Sequence, residues 1–156
     1  MQNRTEGAEP AISASAFDEI MRTKLGVAEI FRFEVVSLER GRARLSMPFQ
    51  PALSRPGGII SGPALFGLAD AALYGAVLSI VGRQEMAVTT GMTINFLRPA
   101  KPGTVTADAR IIKAGRTLAY GEINLMVDPS EDVVAHATGT YSIPPDRVSP
   151  PSRLVT

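Results

Sequence analysis

The chain has 156 residues, enough for one domain with a sizeable core, and its sixteen basic and fifteen acidic side chains leave a net charge of +1. That balance offers no basic field for nucleic acid or another polyanion. The lack of cysteine excludes disulfides and thiolate chemistry, and the single histidine, His136, excludes a multi-histidine metal centre; no loop gathers carboxylates, so no metal site is expected.

Residues 1–14 are polar, with no apolar signal core, and read as a disordered lead on a cytoplasmic protein. Ser15 to Leu25 predicts a short amphipathic helix, because Phe17, Ile20, Met21 and Leu25 recur near helical spacing. Ala28 to Leu38 reads as a strand, Glu39 to Arg42 as a turn, and Ala43 to Met47 as a second strand. Pro48 to Ile60 carries three prolines and the Gly57-Gly58 pair, so it predicts a loop. Pro63 suits the opening turn of a helix that should run to about Val81, with Gly82 as its stop. Four strands follow, at 85–97, 104–113, 117–128 and 133–142, punctuated by Pro99 to Gly103, Gly115 and Asp128-Pro129. Pro144, Pro145, Pro150 and Pro151 make residues 144–156 an extended or disordered tail, which leaves one domain at 15–143. Two strands, a long helix and a four-stranded meander predict a two-layer α+β design.

Within the apolar run from Ser61 to Val81, Asp70 is the only charge. The run is long enough to raise the question of a membrane span. Asp70 would then lie at mid-membrane, Gly67 and Gly75 interrupt the run, and no paired basic flanks exist. A helix buried at the centre of a soluble domain explains the same composition. A carboxylate kept in such a place is either satisfied by hydrogen bonds or used.

Ser61-Gly62-Pro63, followed by Leu68-Ala69-Asp70, resembles the signature helix of the hotdog-fold acyl-CoA thioesterases, in the branch that includes the phenylacetate-pathway enzymes. Three further pieces are similar in the right order: Val88 to Ala100 with its Arg98-Pro99 turn, Lys113 to Ala119, and Ala135 to Tyr141. The resemblance as a whole covers about residues 15–143. The resemblance implies a long central helix wrapped by an antiparallel sheet. It implies hydrolysis of an acyl-CoA, with coenzyme A entering as part of the substrate and no separate cofactor.

Thioester hydrolysis needs preorganised donors for the oxyanion, and either a base for water or a carboxylate nucleophile. Gly62 offers its N–H at the positive end of the helix, where Pro63 has none to give. Asp70 is the expected base or nucleophile. Eight residues of helix separate them by about 12 Å, whereas catalytic contacts are about 3 Å. One carbonyl therefore meets Gly62 of one chain and Asp70 of another, as in the family's two-fold dimer, so a homodimer or a dimer of dimers is expected. Ser61 stands where the family has histidine and cannot become cationic. The family's asparagine falls near Arg55, for which Arg55 or Ser54 are candidates. Thr89, with Thr90 beside it, matches a hydroxyl that supports the attacking water, or is an ordinary strand threonine. Arg98, Lys101, Lys113 and Arg116 lie at turns or strand ends and suit the coenzyme's phosphates, or are solvated surface charge. Tyr74, one turn from Asp70, reads as core or acyl pocket, Asn95 as structural, and His136 as a last-strand residue away from Ser61. A non-catalytic acyl-CoA binding or sensing module on the same fold is the alternative.

Overall fold

The computed structural model describes residues 9–145. The elements are α1 (Ala14–Lys24), α2 (Gly26–Phe31), β1 (Glu34–Glu39), β2 (Arg42–Met47), a 3₁₀ turn (Pro51–Leu53), α3 (Gly62–Val81), β3 (Val88–Phe96), β4 (Val105–Ala114), β5 (Leu118–Val127) and β6 (Val133–Ser142). The six strands form one antiparallel sheet in the order β1-β2-β4-β5-β6-β3, packed around α3.

α3 is apolar on nearly every side because it is buried on nearly every side. It passes the length and hydropathy test for a membrane span, yet 72% of its most apolar window is buried inside the fold. Its close seat on the sheet depends on small residues. Gly121 and Gly139 are cross-strand partners on β5 and β6. A Cβ on Gly121 would stand 2.7 Å from the Leu73 side chain, and one on Gly139 would stand 2.8 Å from it. Leu73 thus fills a notch that only a glycine pair leaves open. Gly82 closes the helix at φ 81°, donating its N–H to Leu78 O.

Two expectations need correction. The strand predicted over Ala28 to Leu38 is the helix α2 followed by β1, with Arg32 between them in the left-handed region at φ 57°. Phe31 and Phe33 decide this. Their rings meet edge to face, and Phe31 rests where Gly67 of α3 has no side chain. The local alternation of apolar and polar residues yields to that tertiary contact. The four late strands are also not a simple meander. β4, β5 and β6 follow one another, but β3 crosses to the far side of β6 and ends as the sheet's edge.

Most of the predicted lead, residues 1–8, lies outside the described residues, as do 146–156 of the predicted tail. Within the lead, Ile12 is buried and the Ala11 N–H donates to Ser79 O at 2.7 Å. Ser79, a buried polar residue not singled out in the sequence, also accepts from the Gly41 N–H and donates to Ala76 O. It ties the β1–β2 turn and the segment before α1 to the end of α3.

Candidate active site

Asp70 lies midway along α3, facing β3 and β6. Thr89 Oγ1 donates to its Oδ1 at 2.6 Å, and the Tyr141 hydroxyl donates to the same oxygen at 2.8 Å and to the Asp70 carbonyl at 3.1 Å. Thr89 and Tyr141 are cross-strand partners on β3 and β6, so their side chains share the inner face. A bulge follows Thr89 in β3. Thr90 turns outward there, and its hydroxyl donates to Thr140 O. The bulge therefore chooses Thr89 over Thr90 as the residue that reaches Asp70.

Both donors fall on Oδ1, and among the described residues Oδ2 has no hydrogen-bond partner. Among the described residues no fully buried side-chain oxygen or nitrogen is left unpartnered, so Oδ2 retains some exposure. One oxygen of the carboxylate is held and the other is presented. Burial, with the Asp70 charge beside it, pushes the Tyr141 phenol well above the ordinary tyrosine value. It remains a proton donor. Tyr74 is buried as expected, stacked on Tyr141 with ring centroids 5.9 Å apart, and its hydroxyl donates to Glu85 O.

Gly62 opens α3. Ser61 is the N-cap residue, but its side chain makes no capping bond. Among the described residues the Gly62 N–H has no partner. A Cβ on Gly62 would lie 3.1 Å from the Phe96 ring, so the site's mouth is shaped by the missing side chain. Gly62, Arg55, Leu65, Phe96 and Arg98 border one cavity of about 450 Å³. Arg98 also borders the adjoining cavity of about 440 Å³, with Lys101, and pairs with Asp132 at 3.3 Å.

Not every candidate falls in this group. Lys113 and Arg116 are exposed near the β4–β5 turn, at the end of the sheet where Leu118, Ser142 and Val88 are aligned. That is the Asp70 end, opposite Phe96 and Arg98. The Ser54 hydroxyl is tied to Pro51 O. His136 sits on β6 as expected, 3.2 Å from Glu122, which also pairs with Arg110; these two partners, Arg110 foremost, hold the Glu122 carboxyl below its usual range. That group lies on strands β4 to β6, and no hydrogen bond links it to Ser61. Among the described residues no group of His, Cys, Asp or Glu has the arrangement of a metal site. Tyr141 is the neighbour of Asp70 that sequence reasoning missed. Its signal was present: alternate positions of β6 put Ala135, Ala137, Gly139 and Tyr141 on one face, so a single phenol stands among small residues.

The profile of the 4HBT thioesterase superfamily matches residues 57–134. A protein of Saccharolobus solfataricus, named provisionally as an esterase, is 34% identical over 86% of this chain and 87% of its own. The chain belongs to the thioesterase superfamily. A structure from Silicibacter sp. TM1040, described provisionally as a thioesterase, is 35% identical, covers 90% of this chain and 97% of its own, and superposes with a TM-score of 0.79. The E. coli PaaI protein from the phenylacetic acid degradation operon is 25% identical over 84% of this chain and 93% of its own, with a TM-score of 0.73. The 1,4-dihydroxy-2-naphthoyl-CoA hydrolase of Listeria monocytogenes is 28% identical over 76% of this chain and 96% of its own. Helix α3 inside the six-stranded antiparallel sheet is the hotdog fold of this superfamily of hydrolases.

Proposed function

We propose that the protein is an acyl-CoA thioesterase whose active site is shared between two copies of the chain. The observation that carries this reading is the placement of Gly62 and Asp70 along one helix beside an edge strand. Gly62 lies by Phe96, at one end of β3, and Asp70 binds Thr89, at the other. Among the described residues β3 pairs only with β6, which leaves its outer edge without a strand. Exposed Val88 and Phe96, each more than half accessible, lie along it, with Leu97 just beyond. Two β3 edges pairing antiparallel across a two-fold axis would put the Thr89 end of one copy beside the Phe96 end of the other. The Gly62 N–H of one copy would then share a thioester carbonyl with Asp70 of its partner.

In this reading the Gly62 N–H, at the positive end of α3, stabilises the oxyanion. Asp70 Oδ2 takes the proton of the attacking water, or attacks the carbonyl carbon to give an acyl-enzyme anhydride that water then opens. Both routes release the acid and the coenzyme thiol. Coenzyme A enters only as part of the substrate, and no separate cofactor is used. Arg98 and Lys101, beside the two adjoining cavities, are placed to meet its phosphates, with Arg55 at the cavity edge near the thioester. The dihydroxynaphthoyl-CoA activity in the name of the Listeria relative supports a coenzyme A thioester as substrate class.

Mixed dimers test the shared site. Asp70→Asn and Gly62→Val subunits, each inactive alone, should regain about one working site per heterodimer, measured by thiol release from a panel of acyl-CoAs. An inactive heterodimer would reject the shared geometry. A wild-type protein that binds acyl-CoA without hydrolysing any of the panel would favour the binding-module alternative.

A further inference from the structure

We propose that Tyr141 is a positioning residue for Asp70, holding the carboxylate so that Oδ2 rather than Oδ1 faces the substrate. This inference rests on Asp70 being the reacting group. Three observations carry it. Tyr141 is only 4% exposed, and its hydroxyl divides its contact between Oδ1 and the carbonyl oxygen of Asp70. It therefore fixes the side chain relative to the helix backbone as well as binding it. Thr89, its cross-strand partner, donates to the same Oδ1, so two donors arrive from neighbouring strands at one oxygen. Oδ2 keeps no partner among the described residues.

A carboxylate on a single-bonded stem can rotate and exchange its oxygens. Two donors on one oxygen suppress that exchange and fix which lone pairs point outward. The ring of Tyr141 is held in turn by stacking on Tyr74, whose own hydroxyl is anchored on Glu85 O. The chain of contacts runs from the β3 approach through Tyr74 and Tyr141 to Asp70. Buried as it is, the phenol stays protonated and acts only as a donor. Tyr141 does not touch the reacting atoms; it acts through Asp70.

Tyr141→Phe is the test, because it keeps the ring, its volume and the stacking while removing the hydroxyl. Rates would be measured on whichever acyl-CoA in a panel from acetyl- to lauroyl-CoA, with benzoyl-CoA, the wild type hydrolyses fastest. The expected result is a kcat lowered about tenfold with KM within about twofold, since an interaction made through the reacting group affects chemistry more than substrate binding. Thr89→Val should behave alike. Because both hydroxyls hold one oxygen, the double variant should fall short of or exceed the product of the single effects. In an Asp70→Asn background, Tyr141→Phe should have no further effect on kcat. Wild-type kcat in Tyr141→Phe, with Asp70→Asn inactive, overturns the positioning role and leaves the proposed reaction standing. A fully active Asp70→Asn overturns the proposed reaction and this role with it. A Tyr141→Phe protein with raised KM and unchanged kcat also overturns it, by making Tyr141 a substrate contact.

Discussion

The two ends of the β3–α3 pair are built on opposite plans. At the Phe96 end the chemistry is backbone: a glycine N–H at a helix start, an open cavity, and cations on loops around it. At the Thr89 end it is side chain: one carboxylate, gripped by a threonine and a buried tyrosine from adjacent strands. The first end is open, with a cavity of about 450 Å³. The second is packed and rigid, and it presents a single oxygen. A donor for negative charge needs little more than a helix terminus and room. A base or nucleophile needs its orientation fixed by neighbours. The difference teaches why the proposed site draws on both ends: each lacks what the other would supply.

The largest effect expected at either end is from Asp70→Asn, which keeps shape but removes base and nucleophile. Its kcat should fall by about 10²–10⁴-fold, read by thiol release under saturating acyl-CoA. A near-normal rate would break the comparison at the carboxylate end. Gly62→Val at the other end should lower turnover by about 10²-fold or more. The new side chain meets the Phe96 ring and, in the proposed site, stands where the thioester would approach the N–H. Circular dichroism and thermal melting should show the fold retained, so a loss of structure would replace a loss of site as the cause.

Thr89→Val should cost about 10-fold in kcat, in keeping with one hydrogen bond to a charged group. Thr90→Val, across the bulge, should cost far less. Equal losses at the two positions would show that the bulge does not select between them. The cations are expected to contribute mainly to binding. Arg98→Ala should raise KM for acyl-CoA a few-fold with little change in kcat, and the effect should shrink in high salt. Lys113→Ala and Arg116→Ala, at the opposite end of the sheet, separate two placements of the coenzyme. A larger KM effect there than at Arg98 would move its phosphates toward the β4–β5 turn.

The smallest effect is a control away from both ends. Burial alone would raise the Asp108 carboxyl, but the Arg42 and Arg44 guanidiniums, at 2.6 and 2.9 Å, hold it below the ordinary value. A depressed folded value means this stabilisation is complete above the unfolded value and is lost as pH falls through the folded one. Asp108→Asn should cost about 1 kcal/mol or less at neutral pH, since both arginines are substantially exposed. The difference in melting temperature from wild type should vanish in strong acid, and kcat should not change.

Much of this architecture can be read from residue order. The apolar run from Ser61 to Val81, bounded by Pro63 and Gly82, determines a buried helix by composition alone. Its lone charge marks Asp70, and Pro63, which has no N–H, leaves Gly62 as the candidate donor beside it. β4, β5 and β6 follow from alternation and turn residues, which are local. Local signals could not place β3 at the sheet's edge, because strand order is decided by which edges meet after α3 is covered. They misread Ala28 to Leu38, because the packing of Phe31 on Gly67 joins residues far apart in the chain. They favoured Thr89 over Thr90 but left it open whether that hydroxyl was more than an ordinary strand threonine, because the bulge that turns Thr90 outward is a property of two paired strands and not of one. Alternation sets Tyr141 alone among small residues on one face of β6, but its hydroxyl acquires a partner only when β6 folds against the middle of α3. The sequence by itself determined which groups are chemically able to act. The tertiary structure decided which of them meet, since a contact between distant segments depends on the register and packing of everything between them.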